Sequence, residues 1–357
     1  MLNIQESVVH YPWGDALPAP GTTLELRPGV RWLRMALPFA LNHINLWLLR
    51  DRLDGTDGWT IIDCGIADDS TRAAWEHIFS HELQGLPVLR VICTHMHPDH
   101  VGLAHWLCER WGTPQRECRL WMSSTDWHVA RIASQSTTGF GGDEAAQFFA
   151  LHGLTDPESL AQVRARSDYY SRLVPQVPAR FRRLMDGTQV DIGGQTWQCI
   201  AGYGHAPEHM ALHCPGLGVL ISGDMVLPRI STNVSVVEVE PDANPLRLFL
   251  DSIDRFLPLP EDTLVLPSHG LPFTGLHVRI KQLHQHHQER FADVMAACAQ
   301  QPCSAADLLP VLFKRTLDLH QTTFAMGESL AHLHALLYQG RLRAVPGSDG
   351  VRRFEIA

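Results

Sequence analysis

The segment Thr94-His95-Met96-His97-Pro98-Asp99-His100 is where the side chains of this sequence can do chemistry. Three imidazoles and a carboxylate fall within six positions. Neutral imidazole offers a lone pair and carboxylate a negative charge, so such a run is costly to bury without a cation and well suited to holding one. Pro87 to Thr94 directly precedes it and reads as a short strand, apolar enough to be buried on both faces. The donors then project from a loop at the strand's carboxyl end. A sharp turn there lets His95 and His97 face one ion while Asp99 and His100 face a second, about 3.5–4 Å away, as paired-metal sites require.

With this run the chain resembles the metallo-β-lactamase superfamily over most of its first 275 residues. Five blocks carry the resemblance: Asp63 in Ile-Ile-Asp-Cys-Gly, the His-x-His-x-Asp-His run, His205 in Gly-His-Ala-Pro-Glu-His, Asp224 in Ser-Gly-Asp, and His269 in Pro-Ser-His-Gly. The resemblance implies that His95, His97 and His205 hold a first metal and that Asp99, His100 and His269 hold a second. Asp224 would bridge them. It also implies that Asp63 orients the ligand loop and that His209, beside His205, supports rather than ligates. Seven donors without a cysteine suit two divalent ions, zinc by default, with iron or manganese as alternatives. A water shared by two such ions loses a proton near neutral pH and becomes a nucleophile, with Asp99 and Asp224 as the carboxylates of the reaction centre.

Two departures narrow the chemistry. Where cysteine-containing β-lactamases place a thiolate at the second metal, this sequence offers Asp224, which disfavours antibiotic hydrolysis. The diiron oxygen reductases of the superfamily have glutamate where His97 stands, which disfavours redox use. What remains is the branch of glyoxalase-II-like thioesterases, lactonases and some nucleases.

The elements that must position these donors read as an α/β layered fold. Strands are expected over Thr23 to Leu37, Asn45 to Arg50 and Trp59 to Asp63, then a helix from Thr71 to Leu83. A helix over 103–111 and a strand over 120–123 follow. Short strands return from Gly187 to Ile230, with a helix from Asn244 to Phe256 and a strand from Thr263 to Leu266. The family resemblance makes this a four-layer αββα sandwich. Residues 1–275 form the catalytic domain, with 124–186 as an inserted helical cap whose Tyr169, Tyr170 and Phe149 are candidate substrate contacts. Residues 276–357 form a long helix and a small winged-helix-like domain: Ser304-Ala-Ala-Asp307 fits a capping pattern, Thr322 to Tyr338 a second helix, and Arg341 to Val345 with Val351 to Ile356 a hairpin.

Composition supplies the boundary conditions. The chain has 357 residues, 29 basic against 38 acidic, and a net charge of −9, which argues against general attraction to polyanions. From Phe291 onward six basic residues balance six acidic ones. That neutral tail is expected to pack or to mediate a homodimer rather than bind nucleic acid. The eight cysteines form no Cys-x-x-Cys pair and sit in apolar runs, as free thiols of a reducing cytoplasm do. Met1 to Asp15 lacks the basic and apolar regions of a signal peptide, and Met35 to Leu49 is too short and too polar to span a bilayer, so a cytoplasmic location is expected. Of 21 histidines, His284, His286 and His287, with His332 and His334, read as helix-surface residues rather than a further metal cluster.

The leading expectation is therefore a dinuclear metal-dependent hydrolase of a small-molecule ester, thioester or lactone. A phosphodiesterase or endoribonuclease acting on single-stranded RNA, and a non-catalytic metal-containing binding module, are the alternatives.

Overall fold

Ile44-Asn-Leu-Trp-Leu-Leu49 shows how the sequence builds its layers. Ile44, Leu46 and Leu48 join one hydrophobic core while Trp47 and Leu49 join another, and none of the five is more than 1% exposed. A strand with apolar residues on both faces must lie between two covering layers. In the computed structural model, which describes residues 9–137 and 141–357, it does.

The first sheet collects β1 (Leu24–Arg27), β2 (Val30–Ala36), β3 (His43–Leu53) and β4 (Thr56–Ile62), and after helix α1 (Asp69–His81) continues with β5 (Val88–Ile92). Helices α2 (Pro98–Val101) and α3 (Ala104–Trp111) lead to β6 (Arg119–Ser123). Then α4 (Ser124–Ala133), α5 (Gly142–Leu151), α6 (Pro157–Ala165) and α7 (Tyr169–Leu173) intervene before β7 (Phe181–Leu184). Strand order follows the chain from β1 to β7, antiparallel up to β4 and parallel from there.

The second sheet contains β8 (Gln189–Ile192), β9 (Gln195–Gly202), β10 (His209–Cys214) and β11 (Val219–Gly223), and, after α8 (Pro245–Ile253), β12 (Leu264–Pro267). Its order is β12-β11-β10-β9-β8, with β11 and β12 parallel. The chain ends with α9 (Leu276–Gln300), α10 (Leu309–Leu312), α11 (Leu319–Tyr338) and a hairpin of β13 (Leu342–Pro346) and β14 (Arg352–Ile356).

Three cores separate four layers. Trp32, Trp47, Trp197 and Ile221 fill the space between the sheets. Trp75, Leu107 and Ala130 of α1, α3 and α4 cover the outer face of the first sheet. Phe249, Ile280 and Leu330 of α8, α9 and α11 cover the second. This is the expected αββα sandwich. The donors follow from its topology, because β4, β5, β11 and β12 deliver Asp63, the 94–100 run, Asp224 and His269 at their carboxyl ends.

Several local expectations change. The strand from Thr23 to Leu37 is two, because Gly29 turns the chain with φ +75° and its amide is held by Glu25 Oε1 at 2.9 Å. No strand continues from Gly223 to Ile230. The inserted segment does not fold over the donors as a unit: Ala146, Phe148 and Phe149 of α5 and Val163 of α6 enter the core that the C-terminal helices share with the second sheet. At the join, a Cβ on Gly153 would lie 2.4 Å from Ser304 Oγ, so the contact requires glycine there.

Ser304 and Asp307 form the reciprocal cap that their spacing suggests, with Ser304 N–H donating to Asp307 Oδ2 at 2.8 Å and Asp307 N–H to Ser304 Oγ at 3.2 Å. The helix-helix-hairpin order of the tail is present. All eight cysteines are free, and seven are buried. Among the described residues, no helix is long and apolar enough to cross a membrane.

Candidate metal centre

Two donor groups converge between the sheet edges. His95, His97, His205 and Asp224 form one and Asp99, His100 and His269 the other, with the ligand atoms of each within 4.8 Å of one another. In the first, His95 Nε2 and His97 Nδ1 are 2.9 Å apart, His97 Nδ1 and His205 Nε2 3.0 Å, and His205 Nε2 and His95 Nε2 3.2 Å. Asp224 spans both groups. Its Oδ2 lies 3.2 Å from His205 Nε2, while Oδ1 lies 3.6 Å from His100 Nε2 and 3.5 Å from His269 Nε2.

The orientation of each ring has an identifiable cause. His205 Nδ1 donates to the Asn233 carbonyl at 2.7 Å and His269 Nδ1 to the His43 carbonyl at 2.8 Å. A carbonyl only accepts, so in the neutral rings the proton sits on Nδ1 and the Nε2 lone pair faces the centre. His100 Nδ1 is bonded to Asp63 Oδ2 at 2.9 Å. The Thr94 hydroxyl donates to Asp63 Oδ2 at 2.9 Å and accepts from His95 Nδ1 at 3.0 Å. Asp63 thus orients two ligand rings, one directly and one through Thr94, from a backbone strained to φ +61°.

The electrostatics of the two groups differ. Burial, then the neighbouring rings, holds His95 and His97 well below the ordinary histidine value. Burial alone would lower His100 too, but Asp63, Asp99 and Asp224 outweigh it and raise the ring well above that value. His269 is likewise raised, because Asp224 and Asp99 overcome its burial. Burial would raise Asp224, yet His269 and His100 bring it well below the usual carboxylate range.

Divalent cations fit this donor set. Three lone pairs within 3.2 Å of one another repel unless a cation lies among them. His100 Nε2 and Asp224 Oδ1 are buried without a hydrogen-bond partner, as atoms kept for a metal would be. His95, His97 and His205 with Asp224 would hold one ion, and Asp99, His100 and His269 with Asp224 the other.

His209 lies behind the donors, not among them. Burial, then His205, pushes it down to about 3, so the ring is neutral, and its Nε2 accepts the Asp224 amide at 3.3 Å. A Cβ on Gly223 would sit 2.1 Å from that nitrogen, which explains the glycine before the bridging aspartate.

The family pattern described as the metallo-beta-lactamase superfamily matches residues 41–269. The chain belongs to that superfamily. A second pattern, the metallo-beta-lactamase-like C-terminal domain, matches residues 291–357. A beta-lactamase domain protein from Burkholderia ambifaria superposes with a TM-score of 0.94 at 54% identity, covering 99% of this chain and 100% of that one. A metallo-beta-lactamase family protein from Thermus thermophilus gives 0.73 at 26% identity over 93% of this chain and 100% of that one. The probable metallo-hydrolase YqjP of Bacillus subtilis (strain 168) is 24% identical over 317 residues, 85% of this chain and 91% of its own length.

Other residues of this superfamily member hold the site without any signal in its motifs. Buried Asp126 accepts the amides of Met96 at 2.8 Å and Glu208 at 2.7 Å, tying the two ligand loops together. Burial still raises its carboxyl to about 6. Asn45 donates to the carbonyls of Pro267 at 2.8 Å and Gly270 at 3.0 Å, on either side of His269. His43 Nε2 accepts the Gly270 amide at 2.9 Å. Asn45 alone had a readable cue, a polar residue inside a strand otherwise apolar on both faces.

Three sequence expectations need correction. Tyr170 is buried and its hydroxyl donates to the Met96 carbonyl, so it braces the ligand loop and does not line the cavity. Phe149 is a core residue, 5% exposed and packed with the C-terminal helices. Only Tyr169 of the three is on the cavity wall. His287, His332 and His334 are not on a solvated surface but buried, at 1%, 1% and 2% exposure.

Proposed function

We propose that this protein is a dinuclear-metal hydrolase that cleaves a carboxylic ester, thioester or lactone of a small molecule, with zinc as the default metal. What supports the reading is the cavity over the donors. It has a volume of about 520 Å³ and is lined by Asp99, Asp224 and His269 together with C-terminal residues such as Phe313 and Phe324. That volume falls within the range of roughly 300–1,000 Å³ typical of small-molecule sites.

Two divalent ions, when bound, supply a water acidic enough to attack at neutral pH and a Lewis acid for the electrophile's oxygen. The chain supplies the geometry. Asp99 and Asp224, with side chains 18% and 10% exposed, are carboxylates on the cavity wall that can orient that water. The anchored Nδ1 atoms of His205 and His269 keep the donor rings from turning as charge builds. The apolar walls exclude bulk water and strengthen each of these interactions.

The test is a panel of thioesters, lactones, aryl esters, phosphodiesters and single-stranded RNA, run on zinc-loaded and metal-stripped protein. Metal-dependent turnover confined to the carboxylic substrates is expected. Turnover of RNA that weakens steeply with added salt would instead favour the ribonuclease reading, and metal-loaded protein inert to every substrate would favour a binding module.

A further inference from the structure

Part of the cavity wall is built by three distant stretches of chain that meet at one ring. His320, at the start of α11, stacks on Phe39 with centroids 5.5 Å apart, meets Phe324 at 4.9 Å and Tyr169 at 5.7 Å. Phe39 comes from the β2–β3 loop, Tyr169 from the inserted helices and Phe324 from the C-terminal segment. Arg166 Nη2 bonds to His320 Nδ1 at 3.1 Å, and its Nη1 to Thr323 Oγ1 at 3.2 Å, so the inserted helices and α11 are fastened together beside the cavity. Burial, then Arg166, lowers the His320 pKa, leaving a neutral ring that behaves as part of an aromatic wall. Leu37, Leu173, Leu227 and Leu317 continue the wall with saturated carbon.

Polar groups also line the cavity: the metal donors, Ser231, Thr232, Asn233, Glu328, and the exposed Arg315 bonded to Gln321 Oε1 at 3.1 Å. Most of the lining is nonetheless carbon. The volume of about 520 Å³ is that of a small-molecule site.

We propose that the cavity binds the acyl chain of its substrate, and that the C-terminal residues Phe313, Leu317 and Phe324 set the preference for its length. The proposal rests on the hydrolase reading for its chemistry but not for its binding test. The acyl chain lies against the aromatic wall with its carboxyl carbon at the donors, so its burial is a substrate contact made by the C-terminal segment. The tail then acts as part of the substrate site, beyond the packing role that its neutral charge suggests.

The experiment is calorimetric binding of the saturated carboxylates of four, six, eight and ten carbons to the zinc-loaded full chain. Affinity should rise about fourfold per added methylene, as burial of apolar area requires, until the cavity is filled. Phe324→Ser should flatten that dependence, and half-buried Leu317→Ser, a milder change, serves where the first variant fails to fold. Equal affinity for all four carboxylates, or a dependence unchanged in folded Leu317→Ser and Phe324→Ser proteins, overturns the proposal. Aryl esters of the same acids separate the two readings. Chain-dependent binding without ester cleavage upholds the acyl pocket and removes the catalytic assignment, whereas cleavage at the same kcat/KM for every chain length does the reverse.

Discussion

Two groups of buried histidines lie in this molecule, and they differ in what surrounds them. At the donor site, His205 and His269 fix Nδ1 on backbone carbonyls, Asp63 and Thr94 fix His100 and His95, and Asp224 faces all the converging nitrogens. Between α9 and α11, His332 Nδ1 donates to the Glu328 carbonyl at 2.8 Å, which leaves its Nε2 to accept from His287 Nδ1 at 3.1 Å. Both His332 nitrogens are satisfied in this way, but no carboxylate converges on the pair among the described residues, and His287 Nε2 is left buried without a partner. The difference teaches that buried imidazoles become a metal site when their second nitrogens are anchored and a carboxylate supplies charge. Without those, they are packing.

The largest effect should come from removing the carboxylate that makes the difference. Asp224→Ala is expected to lose uptake of both ions and, with them, about three orders of magnitude in turnover, because several kcal/mol of charge stabilisation disappear and 1.36 kcal/mol is tenfold. Zinc analysis together with kcat/KM checks it, and an active variant would erase the contrast between the groups.

Much of this contrast is legible in the amino-acid sequence. The His-x-His-x-Asp-His run and the blocks around His205, Asp224 and His269 name the donors, and strand patterning around Ile44 to Leu49 names the layers. What escapes is tertiary. Asp126 and His43 act through backbone amides on other loops, and no local spacing encodes which amide a carboxylate will meet. Phe149 and Tyr170 read as cavity aromatics because composition does not say which face of an inserted helix is covered, and here the C-terminal helices cover Phe149 while Tyr170 joins the core of the first sheet. His287 and His332 read as surface residues since tertiary packing, of α11 on α9 and of Phe249 on His287, is what buries them.

Next in size is the anchoring itself. Asp63→Asn keeps the shape but weakens the hold on His100 and Thr94, and should cost about 10–100-fold in metal affinity, read by competition with a chelating dye. On the other side of the comparison, His332→Leu should leave metal uptake unchanged while lowering stability by about 1–3 kcal/mol, the cost of a buried donor left unpaired on His287. Urea unfolding and zinc titration of the same preparation separate these outcomes, and metal loss in that variant would blur the distinction.

The smallest expected effect is in pH. Burial, then His332 and its other neighbours, pushes His287 down to about 2, and burial pushes His332 down to about 4. The unfolded chain takes up protons near 6.5 that the folded rings refuse, so stability present above that pH is lost as pH falls towards 4. A His287→Leu/His332→Leu double variant should show a shallower loss between pH 7 and 5 in urea midpoints. An identical slope would mean that the pair does not titrate as its burial requires.

The most direct test of the central claim is metal stoichiometry by calorimetry, zinc added to the stripped full chain at pH 7. The account predicts two ions per chain, with protons released as the raised His100 and His269 rings give them up to the metal, and no binding of either ion by Asp224→Ala. Zinc bound by that variant as tightly as by the wild type, or no uptake by the wild type, would contradict it.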